Sequence, residues 1–530
     1  MEEVDRAHVR LAELVAALSL GIDLGFGQPM EHVLRQCLIA LRVAERRGLN
    51  DAERAVVYYT ALLVGVGCHT DAHEQAKWFG DDFALKALKY EYKMPSMSGA
   101  IANLKLIGSM ETPLSRFRIL LELAIGGYRD LNRMIEHHAR MARMLGQQLG
   151  LPEPVLAGLE SSYEQWDGKG WPGKLSGEQV PLASRISHMA EVTEVAHRVG
   201  GVAAAQRLAR ERRGGEFDPT LCDLIASDGH LLLSGLDAAD SWAAVIDAEP
   251  AVAVVLSGER FDAALAAIAN FIDLKSPYFL GHSTSVADLV AEGARQHRLP
   301  AHEVRALRRA GLVHGFGRLG VSNAILDKRG ALGAGETERV RLQPYLTERM
   351  LRQSKALAPL AATAVQHRER LDGSGYPRGL SGAAISPSAR LLGAADAYQA
   401  MREPRAHRPA LTAEQAAVEL RAEVRAGRLD GEAVEAVLAA AGHRVPRRRE
   451  GPAGLTAREV EVLQLAARGL SNKQIAGSLV ISPKTVSNHL EHFYAKIDVP
   501  NRAGAALFAV QHGLLPEEQL VSAATPVPSA

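Results

Sequence analysis

The sequence predicts an all-α protein built from two related helical units in tandem and a smaller helical unit after them. Three observations carry this reading. Apolar residues make up 47% of the 530-residue chain, aromatics only 5%, and Ala, Leu, Arg and Glu dominate, a composition that suits helices. One loop motif occurs twice. Near the C-terminus, helix-start signals follow one another closely.

The repeated loop is Glu164-Gln-Trp-Asp167-Gly-Lys-Gly-Trp-Pro172 and Glu369-Arg-Leu-Asp372-Gly373-Ser-Gly375-Tyr376-Pro377, both E-x-x-D-G-x-G-aromatic-Pro. Two glycines around one residue, then an aromatic and Pro, specify a tight loop, and its recurrence points to duplication. Asp372 follows Asp167 by 205 residues, and Asp396 follows Glu191 by the same interval. Upstream the offset is 250, from His32 to His282 and from Val64 to His314. The difference of 45 residues is an insertion in the first copy, at about 70–117.

In chain order, Leu11, Leu14, Val15 and Leu18 have helical spacing, as do Val33, Cys37, Leu38 and Leu41. Gly48 and Asn50 give a stop and a restart. The first unit covers 1–230, and its insertion, with Met94-Pro-Ser-Met-Ser-Gly99, is expected to be loop-rich. The Ala-rich stretch 231–270 is expected to be a helical connector, and 271–443 the second unit. The Pro-, Gly- and Arg-rich stretch 444–454 reads as a linker, 455–516 as a compact unit, and 517–530 as a disordered tail.

Lys plus Arg equals Asp plus Glu at 61 each, so global charge does not point to nucleic acid and any basic surface is local. The three cysteines, Cys37, Cys68 and Cys222, are far apart and odd in number, which disfavours a disulfide framework or thiolate cluster and fits a reducing cytoplasm. The N-terminus lacks the basic and apolar regions of a signal peptide, and no long uncharged apolar run occurs. A cytoplasmic protein with no membrane partner is expected.

In the C-terminal unit, Thr456-Ala-Arg-Glu459 and Ser471-Asn-Lys-Gln474 are capping boxes, and Ser482-Pro483 is a third helix start. Val486, Leu490, Phe493 and Ile497 form one stripe, which turns Lys484, Ser487, Asn488 and Glu491 outward. This is helix-turn-helix geometry, although an ordinary small bundle has the same periodicity. The residues resemble the LuxR-type (NarL/GerE-like) DNA-binding domain. That resemblance implies four helices, with the third in the major groove of double-stranded DNA. It places Lys473, Lys484 and Thr485 near phosphates and Ser487, Asn488 and Glu491 near base edges, with His489 structural or phosphate-directed. It also implies homodimers formed through the last helix, Arg502–Val510.

The second unit resembles the HD-GYP branch of the HD phosphohydrolases. The resemblance rests on His367-Arg-Glu-Arg-Leu-Asp-Gly-Ser-Gly-Tyr-Pro-Arg-Gly-Leu-Ser-Gly382 and on Ala389-Arg-Leu-Leu-Gly-Ala-Ala-Asp396. Intact members bind iron or manganese ions that activate a hydroxide against cyclic di-GMP. The resemblance places His282, His314, His367 and Asp396 at ligand positions and Asp372, Gly373, Gly375, Tyr376 and Pro377 in a ligand loop. Gly315 stands where the pattern has Asp, Arg318 for Lys, Gln343 and Arg368 for His, Tyr278 for Glu and Gln399 for Asp. These departures imply no intact catalytic set, at most one Fe or Mn ion, and a body that binds a cyclic di-GMP-like effector. In the first unit His32 remains, but Val64, Gly65, Ser162 and Tyr163 occupy ligand positions and Glu191 replaces the Asp, so no catalysis is expected there. Neighbours on one helix diverge by about 100°, so His137-His138 reads as a solvated pair rather than a metal pair. The expectation is a transcription regulator with a sensory or assembly body. The alternative is an active metal-dependent phosphohydrolase carrying a DNA-binding appendage.

Overall fold

The structure is a computed structural model that describes residues 8–91, 134–237, 240–251, 253–444, 452–479 and 481–515. The chain divides into two compact units, Met1–Arg444 and Val445–Ala530.

The first unit is helical apart from a minimal antiparallel pairing of Val9–Arg10 with Val255–Leu256. Several elements of its first half recur in its second. Helices His32–Arg46 and Asp51–Leu63 recur 250 residues later as His282–Gln296 and Ala301–Val313. Past the insertion, the turn Gly177–Gln179 and the start of helix Leu182–Arg212 recur 205 residues later as Gly382–Ala384 and Pro387–Arg402.

The local reasons recur too. Helices His32–Arg46 and His282–Gln296 each follow a residue of left-handed backbone, Glu31 at φ 77° and Gly281 at φ 72°. A buried carboxylate then satisfies one of the donors that a helix start leaves open: Asp23 accepts from Val33 N at 3.0 Å, and Asp273 from Ser283 N at 2.7 Å. In the repeated loop, Glu164 accepts from the backbone N–H of Gly173, Lys174 and Leu175 at 2.9–3.3 Å, and Glu369 from those of Arg378 and Leu380 at 2.8 and 2.9 Å. The first Glu of the motif is therefore the loop's internal scaffold.

The two halves are not separate cores. One apolar core runs from Val9 through Ala364, and a second gathers residues between Val286 and Leu438. Helix Leu11–Gly25 of the first half packs on Leu319 and Met350 of the second so closely that a Cβ at Gly21 would lie 2.7 Å from each. Polar contacts add to this seam. Asp82 accepts from Ser322 Oγ at 2.6 Å and Asn323 N at 2.9 Å, and pairs with Lys86 at 3.2 Å. Lys275 Nζ lies 3.6 Å from the same carboxylate, an ion pair beyond hydrogen-bond range, and burial pushes its pKa down to about 8.

Two expectations change. The stretch 231–270 is not one helical connector: helix Pro219–Leu232 ends, a short helix Ser241–Asp247 follows, then strand Val255–Leu256, and helix Gly258–Asp273 already belongs to the second half. Asp240 and Ser257 restart the chain there. The described part of the insertion is helical, Ala72–Phe79 and Asp82–Glu91, because it docks on the second half through Asp82. Met94–Gly99, most of the 444–454 linker and the tail 517–530 lie outside the described residues. Among those residues no helix is long and apolar enough to cross a membrane.

The second unit has the four helices its resemblance implies: Ala457–Ala467, Asn472–Leu479, Pro483–Lys496 and Arg502–Gln511. Both capping boxes form, and Ser482 Oγ accepts from Thr485 N at 3.1 Å. Val486, Leu490, Phe493 and Ile497 are buried in one core with Val462, Leu463 and Ile475.

Two stability predictions follow from this packing. A Cβ on Gly317 would lie 2.0 Å from the Gln343 carbonyl oxygen, matching 2.1 Å from Gly67 to that of His138. Gly317→Ala is expected to destabilise by about 2–4 kcal/mol, read from denaturant unfolding. Burial disfavours ionised Glu194, but its hydrogen bonds with His32 and Arg35 outweigh that and hold its pKa at about 2. A depressed carboxylate contributes stability above its unfolded pKa, and that stability is lost as pH falls from about 4.5 to 2. Glu194→Gln is therefore expected to lower Tm at neutral pH and to flatten the acid-side fall of Tm.

Candidate functional site

Three helix ends of the second half converge on one buried carboxylate. His282 opens helix His282–Gln296, His314 caps the end of Ala301–Val313, and His367 caps the end of Ala358–Gln366. Asp396 lies within Pro387–Arg402 and is fully buried. His282 Nε2 is 3.2 Å and His314 Nε2 3.6 Å from Asp396 Oδ1. The His314 ring lies 5.5 Å from that of His282 and 5.0 Å from that of His367.

The outer nitrogens are fixed. His314 Nδ1 donates to the Gly311 carbonyl at 2.5 Å and His367 Nδ1 to the Ala364 carbonyl at 2.6 Å, while His282 Nδ1 meets Glu403 at 2.8 Å. A carbonyl acceptor requires the proton on Nδ1, which leaves the inward Nε2 of His314 and His367 as lone pairs. Burial pushes both imidazoles down, so they are neutral.

Those lone pairs are met by arginines. Arg318 Nη2 lies 3.1 Å from His314 Nε2, and Arg368 Nε donates to His367 Nε2 at 3.2 Å. Arg318 also bonds Asp273 at 2.8 Å, and Arg368 Nη2 sits 3.3 Å from Asp396 Oδ2, close enough for an ion pair but off the line of a good hydrogen bond. Burial opposes ionisation of Asp396, yet Arg368, with a hydrogen bond from His282, holds it well below the usual range. A Cβ on Gly315 would lie 2.7 Å from Arg318 Nη1. The guanidinium thus fills the volume an Asp side chain there would enter.

The arrangement does not fit a pair of metal ions, since two of the inward nitrogens already face fixed cations. Ligand atoms of His282, His314 and Asp396 do lie within 4.8 Å of one another, but an ion among them would have to displace Arg318 from His314.

Above this centre lies a cavity of ≈ 290 Å³ lined by Phe279, Arg318, Arg368, Tyr376, Arg405 and Arg408. Arg318 and Arg405 both lie against the Phe279 ring, at 4.6 and 4.7 Å from its centroid. Four guanidinium groups face three carboxylates, Asp273, Asp396 and Glu403, which leaves a positive surplus suited to an anion.

Of the loop residues, Tyr376 reaches this cavity. Asp372 instead closes its own turn, accepting from Ser374 N at 2.9 Å, and Gly375 permits contact so close that a Cβ would lie 2.3 Å from Arg370 N. Arg378 pairs with Glu348 at 2.6 Å and Arg390 with Asp430 at 3.1 Å, so both are structural. Asp273 and Glu403 were not singled out from sequence. The recurrence of Asp23 at 273 was an available signal. Glu403 gave none, because it supports its histidine from one helical turn beyond the position matching Glu194.

The first half holds a different polar set at the matching place. His32 pairs with Glu194, Tyr90 donates to Glu191 at 2.9 Å, and Cys68 Sγ meets the Tyr163 hydroxyl at 2.7 Å. His137 is half-buried and His138 buried, and both pair with the Asp71 carboxylate, at 3.2 and 2.8 Å. The solvated-pair reading is corrected, because one carboxylate draws both rings in from solvent.

In the second unit Lys473, Lys484, Asn488 and Glu491 are exposed, on helices Asn472–Leu479 and Pro483–Lys496. Thr485 and His489 are half-buried. Ser487 is also half-buried, accepting from Asn472 Nδ2 and donating to the Pro483 carbonyl, both at 3.2 Å. It is therefore less free than its place outside the apolar stripe suggested.

Comparison with known proteins agrees with both halves of this description. A family model described as an HD domain matches residues 266–433, and one described as bacterial regulatory proteins of the luxR family matches 453–509. The 3'3'-cGAMP-specific phosphodiesterase 3 of Vibrio cholerae is 32% identical over 410 residues, covering 77% of this chain and 89% of that protein. The crystal structure of a cyclic GMP-AMP specific phosphodiesterase of V. cholerae aligns with TM-score 0.58 at 27% identity, covering 82% of this chain and 98% of that one. The response regulator VraR of Staphylococcus aureus is 40% identical over 73 residues, 14% of this chain and 35% of that protein. The chain belongs to the HD-domain family that includes the V. cholerae phosphodiesterase, and it carries a luxR-type DNA-binding domain at its C-terminal end.

Proposed function

We propose that the chain is a transcription regulator whose HD half binds a cyclic dinucleotide as an effector and does not turn it over. The observation that carries this reading is the pair of guanidinium groups on the inward nitrogens of His314 and His367. Metal-assisted hydrolysis needs those nitrogens for ions that activate water. Arginine supplies the positive charge that draws in a phosphodiester, but it offers no water of lowered pKa. The aromatic walls Phe279 and Tyr376 suit the bases of such a ligand, and the V. cholerae relative is named for a cyclic dinucleotide. In this reading residues 1–230 are a further diverged HD copy, 444–454 is a linker, and a cytoplasmic homodimer binds a two-fold operator.

A second reading keeps enzymatic activity. It is favoured by the convergence of His282, His314 and Asp396, which could take one Fe or Mn ion once Arg318 moves away. The readings part on calorimetric titration of cyclic dinucleotides with excess chelator present, alongside turnover assays with added Fe(II) or Mn(II). Binding that survives chelation, weakens about tenfold or more in Arg368→Ala and comes without turnover supports the effector role. Metal-dependent hydrolysis abolished by His314→Ala would establish the enzyme instead.

For the DNA-binding unit, Lys484 is assigned to phosphate and Asn488 to a base edge. Lys484→Ala should weaken binding on all sequences and reduce the salt slope by about one, whereas Asn488→Ala should relax preference at one position. Selection of operators from a random library, repeated at several salt concentrations, checks both. Wild-type behaviour of both variants would displace the reading helix.

A further inference from the structure

We propose that Cys68 in the first half is a redox-active thiol that hydrogen peroxide oxidises to a sulfenic acid. The inference does not depend on what the second half binds.

The three cysteines sit in different surroundings. Cys37 is fully buried with its thiol 3.7 Å from the Tyr58 carbonyl, and burial pushes its pKa up. Cys222 is pushed up to about 12, by burial first and then by Asp218 and Asp223. Both are inert by that account.

Cys68 has a constellation around it. Its Sγ lies 2.7 Å from the Tyr163 hydroxyl, and it interacts electrostatically with the His138 imidazole. His138 is in turn held at 2.8 Å by Asp71. Thiol, imidazole and orienting carboxylate in sequence, with a phenol as an added donor, is the arrangement that activates a sulfur nucleophile. Burial works against a charged His138, but Cys68 and Asp71 outweigh it and raise its pKa to about 9. The proton leaving the thiol thus has a resident acceptor, and the thiolate has an adjacent counter-charge.

Access is restricted to small reagents. Cys68 borders a cavity of ≈ 10 Å³ together with Gly65, and Gly65 with Tyr163 lines a neighbouring cavity of ≈ 80 Å³. The first holds about one water, and the second, on the Tyr163 side of the thiol, has room for a molecule of peroxide's size but not for a bulky disulfide. In the reaction the thiolate sulfur attacks one peroxide oxygen and the O–O bond breaks. Sulfur loses two electrons and peroxide gains them. The departing hydroxide takes the His138 proton and leaves as water.

The test uses the full chain in chelator, so that metal-catalysed oxidation does not contribute. Protein is treated with limiting peroxide, quenched and unfolded into dimedone, and all three cysteines are followed by mass spectrometry. Cys68 is expected to be labelled at least about tenfold faster than Cys37 and Cys222, and His138→Gln to slow Cys68 by about tenfold without changing Cys222. Equal rates at Cys68 and Cys222, or an unchanged Cys68 rate in a folded His138→Gln, would overturn the proposal. If that variant fails to fold, Asp71→Asn, at a half-buried position, decides in the same way.

Discussion

Asp396 is a carboxylate with no exposure to water, and the surrounding helices can close over it only if positive charge is supplied. Arg368 supplies it directly, His282 hydrogen-bonds to the carboxylate, and the His314 ring stands beside it. Arg318 answers the second buried acid, Asp273, and on the way caps His314. The remainder of the site follows from these two placements. Gly315 must stay without a side chain, and Glu403 balances Arg405 while orienting His282. The cavity above keeps a net positive wall. Removing one partner from such a cage leaves an uncompensated buried charge, typically costing about 3–5 kcal/mol. The cluster is therefore stable as it stands and costly to change one residue at a time.

The same fold treats the corresponding place in the first half differently. There the acids Glu191 and Glu194 are answered by Tyr90, His32 and Arg35, and the thiol of Cys68 stands where Arg318 stands in the second half. Backbone geometry is shared down to the close approach of Gly67 to the His138 carbonyl and of Gly317 to that of Gln343. The polar chemistry is not. The packing is shared and over-determined by a continuous apolar core, whereas the polar centres differ. The buried cluster of Asp82, Lys86 and Lys275 ties the first-half insertion to Ser322 and Asn323, beside the wall of the second-half cavity.

The repeat, the helix starts of the C-terminal unit and the four converging residues could all be read in the sequence, because each depends on local spacing or on a motif of fixed geometry. The Glu164 and Glu369 loops show this well: the motif fixes the turn, and the acid fixes the motif. The connector at 231–270 was misread because Ala-rich composition measures helix propensity but not where tertiary contacts break a helix, here at Asp240 and Ser257. Glu403 and Arg405 were not visible because their roles arise from proximity across a helix end, with no spacing to mark them. Arg318 and Arg368 were legible as substitutions but not as ligands to histidine nitrogens, a relation that exists only once three helices meet. Ser487 was assigned outward by helical phase alone, whereas Asn472 from the neighbouring helix draws it partly inward.

The central claim is that arginine occupies the metal-facing side of this HD centre, and elemental analysis tests it most directly. The full chain, purified from cells supplied with iron and manganese, would be measured for both metals alongside His314→Ala. The account predicts metal far below stoichiometry, unchanged by the substitution. Near-stoichiometric metal that disappears with His314 would contradict it, and would mean that Arg318 and Arg368 give way to the ions they stand in for.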